Sequence, residues 1–137
     1  MAMIITVETL VHASVEKTWA YWTNPEHITQ WNNASDDWHT PWAKNDLVPG
    51  GRFVSRMEAK DGSMGFDFSG VYEEVEENRK ISYIMDDNRK VTVSFSESGH
   101  GTKIVEEFEA EDENSAELQR QGWQAILDNF KRYTESN

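Results

Sequence analysis

Ser115 to Tyr133 reads SAELQRQGWQAILDNFKRY. On a helical wheel at about 100° per residue, Leu118, Gly122, Ala125, Ile126, Phe130 and Tyr133 gather on one side. Trp123 and Leu127 carry that side further round. The apolar arc is roughly 200° wide, against the ~100° that a helix laid on a surface needs. Such a helix must be wrapped by its neighbours. Asn114 is placed to cap it, with Glu117 three residues on as the reciprocal partner. Gly122 costs the helix about 1 kcal/mol relative to Ala; facing inward, it would let a neighbour approach the backbone. Leu118, Gly122 and Ile126 are expected against a sheet, and Trp123, Leu127 and Phe130 toward an aromatic loop and any cavity beside it. Asn129 falls inside the arc, far from either end, so a buried hydrogen-bond partner is expected for it.

The wrapping has to come from the residues upstream, where the hydrophobic period is two. Asp61-Gly62 is a hairpin signal. Pairing Lys60 with Ser63 sets Met57 opposite Phe66, Ser55 opposite Phe68 and Arg56 opposite Asp67. Register fixes faces, so Phe53, Met57, Met64, Phe66 and Phe68 share one side while Arg56 and Asp67 share the other. Val71 to Val75 continues the sheet. A three-residue turn at Asp87-Asn88-Arg89 would set Met85 against Val91, Tyr83 against Val93 and Ile81 against Phe95. Gly99-His100 turns again and Thr102 to Ala110 returns; there, Glu106 or Glu107 must point where its apolar partners point. The acidic run EAEDENSAE (109–117) links this strand to the final helix.

Further upstream, Met3 to His12 is a strand by its Ile, Val and Thr content. Ser14 is placed to cap a short helix over Val15–Thr23. Pro25 suits the first position of a second, PEHITQW. Asn32 to Pro49 has turn residues throughout and no clean period, and reads as irregular. The order is thus one strand, two short helices, about six hairpin-joined strands and one long helix. A meander with one apolar face must cover it, and only the final helix is long enough. The expected fold is α+β: a curled antiparallel β-sheet wrapped around a long C-terminal helix, in one domain over 1–137.

Composition bounds the function. The net charge of −12 and the absence of clustered Lys and Arg argue against nucleic acid and against an anionic membrane surface. No apolar run approaches 18 residues, so no membrane insertion is expected, and Met1 to Leu10 lacks the features of a secretory signal. Zero cysteines exclude disulfides and thiol chemistry and fit a cytoplasmic location. Of six tryptophans, five lie between Trp19 and Trp42, which draws attention to the N-terminal third.

Four stretches carry a resemblance: WNNASDDWHTPWAKNDLVPGGRF (31–53), SRMEAKDGSMGFDFSGVYEEV (55–75), DDNRKVTVSF (86–95) and GWQAILDNFKRY (122–133). With the element order, they make the chain similar to the helix-grip (START-like, SRPBCC) superfamily of the birch-pollen allergen, lipid-transfer domains and polyketide cyclases. More narrowly it resembles the family named for the activator of the ninety-kilodalton heat-shock chaperone ATPase, in its bacterial stand-alone form. The resemblance implies a cavity between sheet and helix that binds a small hydrophobic molecule, aromatic or lipid-like. Two alternatives come with it: an enzyme of the cyclase or aromatase type, and a co-chaperone or stress-response module. The eukaryotic co-chaperone's additional chaperone-binding domain has no counterpart here, so a chaperone partner is not argued. No cofactor is expected, and a monomer or weak homodimer is.

Candidate ligand-binding residues are Trp31, Trp38, Trp42, Arg56, Met57, Met64, Phe66, Phe68, Tyr83, Met85, Trp123 and Leu127. Such a site is concave and mostly apolar with few polar groups; the same aromatics would equally build a closed core. Arg56 with Asp67 is either a solvated pair on the outer face or an anchor for an anionic ligand group. Asp36, Asp37 and His39 lack metal-ligand spacing, and Asp86-Asp87-Asn88 lacks the ligands of a calcium loop. An inward Glu106 or Glu107 would be a buried acid fit for proton transfer. Its partner in an enzyme would be Tyr83.

Overall fold

A computed structural model describes residues 3–137; of the domain expected over 1–137, Met1 and Ala2 lie outside the described residues. The elements run β1 (Ile4–Val11), α1 (Val15–Thr23), α2 (Pro25–Trp31), β2 (Trp38–Asn45), β3 (Arg52–Ala59), β4 (Gly65–Glu76), β5 (Lys80–Met85), β6 (Lys90–Ser98), β7 (Gly101–Glu109) and α3 (Ala116–Ser136). The strands form one antiparallel sheet in the order β1-β7-β6-β5-β4-β3-β2. Strand β1 therefore crosses to pair with the last strand. The sheet curls into a half-barrel around α3: the helix-grip fold expected from the sequence.

Local chemistry sets the elements. The Ser14 side chain accepts from the Lys17 N–H and starts α1. Asn24 works twice: its N–H closes α1 on the Ala20 carbonyl, and its Oδ1 accepts from Glu26 to open α2, with Pro25 as the first helical residue. Asn129 of α3 then donates to the Trp31 carbonyl at 2.8 Å and to Asn33 Oδ1 at 3.1 Å, fixing the end of α2 on the long helix. The partner expected for Asn129 is present, although its side chain is half-buried rather than buried.

The β3–β4 register is as read from the sequence: Met57 pairs with Phe66, Ser55 with Phe68 and Arg56 with Asp67. The hairpin is closed by Ala59 and Met64, one pair earlier than expected, with Gly62 at a φ of 78° that its missing Cβ permits. The β5–β6 pairing is shifted by two residues. Tyr83 faces Val91 and Ile81 faces Val93, because Met85 and Arg89 close the turn and Asn88 takes the left-handed position. A shift of two preserves faces, so the inward set survives the wrong partners.

One further expectation is corrected and one sharpened. The segment taken as irregular contains β2, an edge strand with a register break between His39 and Trp42. Pro41 sits at that break, which is where a sheet tolerates proline. It hid the period. Second, Val71–Val75 is the continuation of β4, a 12-residue strand with a bulge between Tyr72 and Glu74. The bulge resets the alternation, so Tyr72 and Val75 both turn inward.

In α3 the cap is Ser115, whose side chain accepts from Leu118 N–H, not Asn114. Asn114 is engaged by Glu111, and its carbonyl accepts from Gln119. The helix is also rotated about its axis relative to expectation. Its buried line is Gln119, Leu127, Phe130 and Thr134, while Leu118 is 56% exposed. A Cβ on Gly122 would meet nothing within 4 Å, so no neighbour uses the gap. Leu127 and Phe130 form the core contacts with the sheet side, and Phe130 also meets Trp22 and Trp31 at ring separations of 4.9 Å.

Candidate functional site

The concave face of the sheet can be followed row by row from the pairings. One row runs Tyr72, Tyr83, Val91, Phe108, Ile5 across β4, β5, β6, β7 and β1. The next runs Val75, Ile81, Val93, Glu106, Val7. Near β1 and β7 this face is sealed by α3, where Trp123 lies flat on Phe108 with ring centroids 3.9 Å apart. Toward β2–β5 the sheet curls away and the seal fails. A cavity of about 290 Å³ remains. Its floor is Phe53, Ser55, Met57, Phe68, Tyr72, Ile81, Tyr83 and Glu106; its roof is Trp123 and Ile126 of α3 with Trp22, Ile28 and Trp31 of the short helices. Asn32, Lys44, Asn45, Phe66 and Arg89 complete the lining. Phe66 is 50% exposed and Lys44 is exposed, so they mark the mouth.

The aromatic walls brace one another. Phe53 contacts Tyr83 edge-on at 4.7 Å and Tyr72 at 5.3 Å, and Phe68 contacts Trp123 edge-on at 6.1 Å. Rings held this way present faces and edges to the cavity without being free to collapse into it.

Few polar groups enter. Tyr72 donates to Asn45 Oδ1 at 2.5 Å; burial pushes its phenol well up despite that bond. Burial likewise holds the Tyr83 phenol far above its ordinary value, with Glu106 and Tyr72 adding to the effect and Arg89 opposing it. Glu106 is 6% exposed, and burial alone pushes its carboxyl up to about 8. Its neighbours on the sheet are Val7, Val93, Ile104 and Phe108, each at most 2% exposed. The carboxyl therefore has only the cavity before it. Glu107 is exposed on the other face. The alternation of Thr102, Ile104, Glu106 and Phe108 against Lys103, Val105, Glu107 and Glu109 carries this distinction, a signal present in the sequence but not used above.

Of the twelve candidate residues, Trp31, Met57, Phe66, Phe68, Tyr83 and Trp123 line the cavity. The other six are placed elsewhere. Arg56 projects from the outer face between inward Ser55 and Met57, bonded to Glu58 at 2.9 Å and Asp67 at 3.2 Å. Met85 and Leu127 are packed into the closed core. Met64 is 65% exposed at the β3–β4 hairpin, beyond the curl of the sheet. Trp42 is exposed on the edge strand, with Lys44 Nζ 5.7 Å from its ring centre. Trp38 is half-buried against Phe66, at the rim. The residues not anticipated include Tyr72, Asn45, Trp22 and Ile126. Asn45 was hidden by the unseen β2, and Trp22 and Ile126 by the packing of α1 and the rotation of α3, whereas Tyr72 follows the alternation of Phe66 and Phe68 and precedes the β4 bulge.

A smaller, more open depression of about 210 Å³ is lined by Arg89, Glu111, Asn114, Leu118, Gln119, Gly122 and Trp123. Arg89 and Trp123 line both. Among the described residues no group of three or more His, Asp or Glu is arranged to hold a metal ion, and no helix is long and apolar enough to cross a membrane.

A family model described as Activator of Hsp90 ATPase homolog 1-like protein matches residues 12–135. The chain belongs to that family. The AHSA1-like protein of Aeromonas hydrophila, solved in solution, is 47% identical, covering 98% of this chain and 93% of its own, with a TM-score of 0.92. A Cytophaga hutchinsonii protein, also solved in solution, is 54% identical over 97% of this chain and 92% of its own, with a TM-score of 0.84. A crystallised Nitrosomonas europaea protein shares the fold at 17% identity and a TM-score of 0.83, over 98% and 95% of the two chains. No curated protein matches the chain. The AHSA1-like fold family commonly binds hydrophobic ligands.

Proposed function

We propose that this AHSA1-like domain binds a small hydrophobic molecule, aromatic or lipid-like, in the cavity between the sheet and α3. The observation that carries the reading is a cavity of about 290 Å³ that stays open although eight aromatic side chains line it. Its volume sits near the lower end of ligand pockets, ~300–1,000 Å³, so the fitting ligand is compact. Trp22, Trp31 and Trp123 report on it directly. A panel of compact apolar molecules is expected to raise the melting temperature and shift tryptophan emission. Ile126→Trp, which fills the roof, should abolish both responses while circular dichroism shows the fold retained. A panel without effect, or an Ile126→Trp protein that binds as before, would sink the reading.

A second reading, a cyclase- or aromatase-like enzyme, is favoured by one observation. Glu106 and Tyr83 both face the cavity, close enough for the carboxyl to affect the phenol. An acid poised at about 8 is suited to accept and return a proton near neutral pH. Turnover of an aromatic-forming polyketone, lost in Glu106→Gln, is the expected result; absence of turnover with saturable binding leaves the binding function alone.

A further inference from the structure

We propose that the ligand of this cavity carries a primary or secondary amine, bound as an ammonium against the Glu106 carboxylate and surrounded by aromatic rings. The inference rests on the ligand-binding reading above and narrows its chemistry.

Glu106 is the starting point. Val7 and Val93 flank it across the sheet and Ile104 and Phe108 along its own strand, so its immediate sheet neighbours are all apolar, and Tyr83 is the polar group facing the same space. Among the described residues no protein donor bonds the Glu106 carboxyl, which opens into the cavity within reach of an incoming donor. The protein does not supply that donor. Arg89, a cation of the lining, is committed by Nε to Asp87 at 2.7 Å and by a terminal nitrogen to the Glu109 carbonyl at 3.1 Å. Lys44 lies at the mouth over Trp42. The Tyr72 hydroxyl is spent on Asn45. Tyr83 faces the same space but brings no positive charge.

The rest of the wall suits a cation. Trp31, Phe53, Phe68, Tyr83 and Trp123 surround the space with π faces and edges. Aromatic rings attract an ammonium, most strongly where water is excluded. An anionic ligand would meet the same carboxyl without compensation. The amine reading also fixes a proton balance. Glu106 enters the complex by releasing its proton to solvent as the ammonium replaces it. Binding should therefore strengthen with rising pH through about 8 and weaken by about tenfold for each unit below. The other charged or titratable groups facing the site are Tyr72 from β4, Tyr83 from β5, Arg89 from the β5–β6 turn and Lys44 from β2. Those facing it from α1, α2 and α3 are Trp22, Ile28, Trp31, Trp123 and Ile126, none of which carries charge.

The test uses three probes of one skeleton: phenethylamine, phenethyl alcohol and ethylbenzene. Affinities are measured by calorimetry or amide-shift titration on the full chain, on Glu106→Gln and on Glu107→Gln. The native protein should prefer the amine by about tenfold or more over either neutral probe. In Glu106→Gln the amine-to-ethylbenzene ratio should fall to about one. Glu107→Gln removes the same charge from the outer face and should keep the preference. Neutral probes that bind as tightly as the amine overturn the inference and leave hydrophobic binding standing. An equal loss in both variants would trace the preference to the overall negative charge and also overturn it. If none of the three binds, and the wider panel is silent, the binding reading itself falls.

Discussion

Replacing Glu106 by Gln should make the protein more stable, and by an amount that depends on pH. The carboxyl titrates near its ordinary 4.5 when the chain is unfolded and at about 8 when it is folded. A raised folded value means that the neutral acid is the form the core accepts. Its contribution is fully present below about pH 4.5 and is lost as pH rises through about 8. Between those limits the native state is penalised by about 1.4 kcal/mol per unit. Going from about pH 5.5 to about pH 8.5, the penalty grows by roughly 3 kcal/mol. Gln has the same shape and no charge, so its stability lacks this component. The measurement is urea denaturation of both proteins at each pH, taking variant minus native. Subtraction cancels the opposite trend from Asp86 and Glu135, whose carboxyls are held below their ordinary values chiefly by Arg52 in the first case and by Lys131 in the second. The difference should open by roughly 3 kcal/mol in favour of Gln toward high pH. A difference that stays constant across the range would show that Glu106 is solvated or paired, and the account of the cavity's polar wall would fail with it.

Other substitutions probe the fold around that wall. Leu127→Ala should cost about 2–5 kcal/mol and Phe130→Ala about 3–5 kcal/mol in chemical denaturation, since both are fully buried under the sheet. Ser115→Ala should cost about 1 kcal/mol through the lost cap; Asn114→Ala should cost less, reversing the order expected had Asn114 been the cap. Gly122→Ala should stabilise by about 1 kcal/mol, because the helix gains a better former and the new methyl meets nothing. A measured loss there would mean that something approaches the helix at that point in solution.

What was legible in the sequence divides along a physical line. Ser14, Asn24-Pro25 and Asp61-Gly62 act through bonds a few residues long, and the elements they delimit stand where they were read. The two-residue shift at β5–β6 did no harm, because alternation survives an even slip. Alternation fails where a bulge intervenes, and both bulges, in β2 and β4, lie in the strands that curl away to open the cavity. Curvature and lost periodicity have one cause there. Of the residues missed at the site, Asn45 lies in the strand whose break conceals its period, whereas Tyr72 precedes the β4 bulge in phase with Phe66 and Phe68 and was legible. The rotation of α3 was out of reach for another reason: an apolar arc of roughly 200° has no unique centre, and only the finished sheet selects Leu127 and Phe130 over Leu118.

Glu106 differs from these. Nothing about its strand is irregular; Ile104, Glu106 and Phe108 alternate cleanly inward, and a valine or leucine in its place would complete the row from Val75 to Val7. The fold has no use for a carboxyl at that point and is less stable above acidic pH for having one. A residue that satisfies the strand's period, violates its polarity and adjoins the one region where the core is open is positioned for what enters the opening. The cavity alone could be an imperfection of packing at the edge of a curled sheet. A lone acid on its wall, with Arg89 committed to Asp87 and the Glu109 carbonyl, is what argues for the proposed binding site over such an imperfection and gives that proposal its preference.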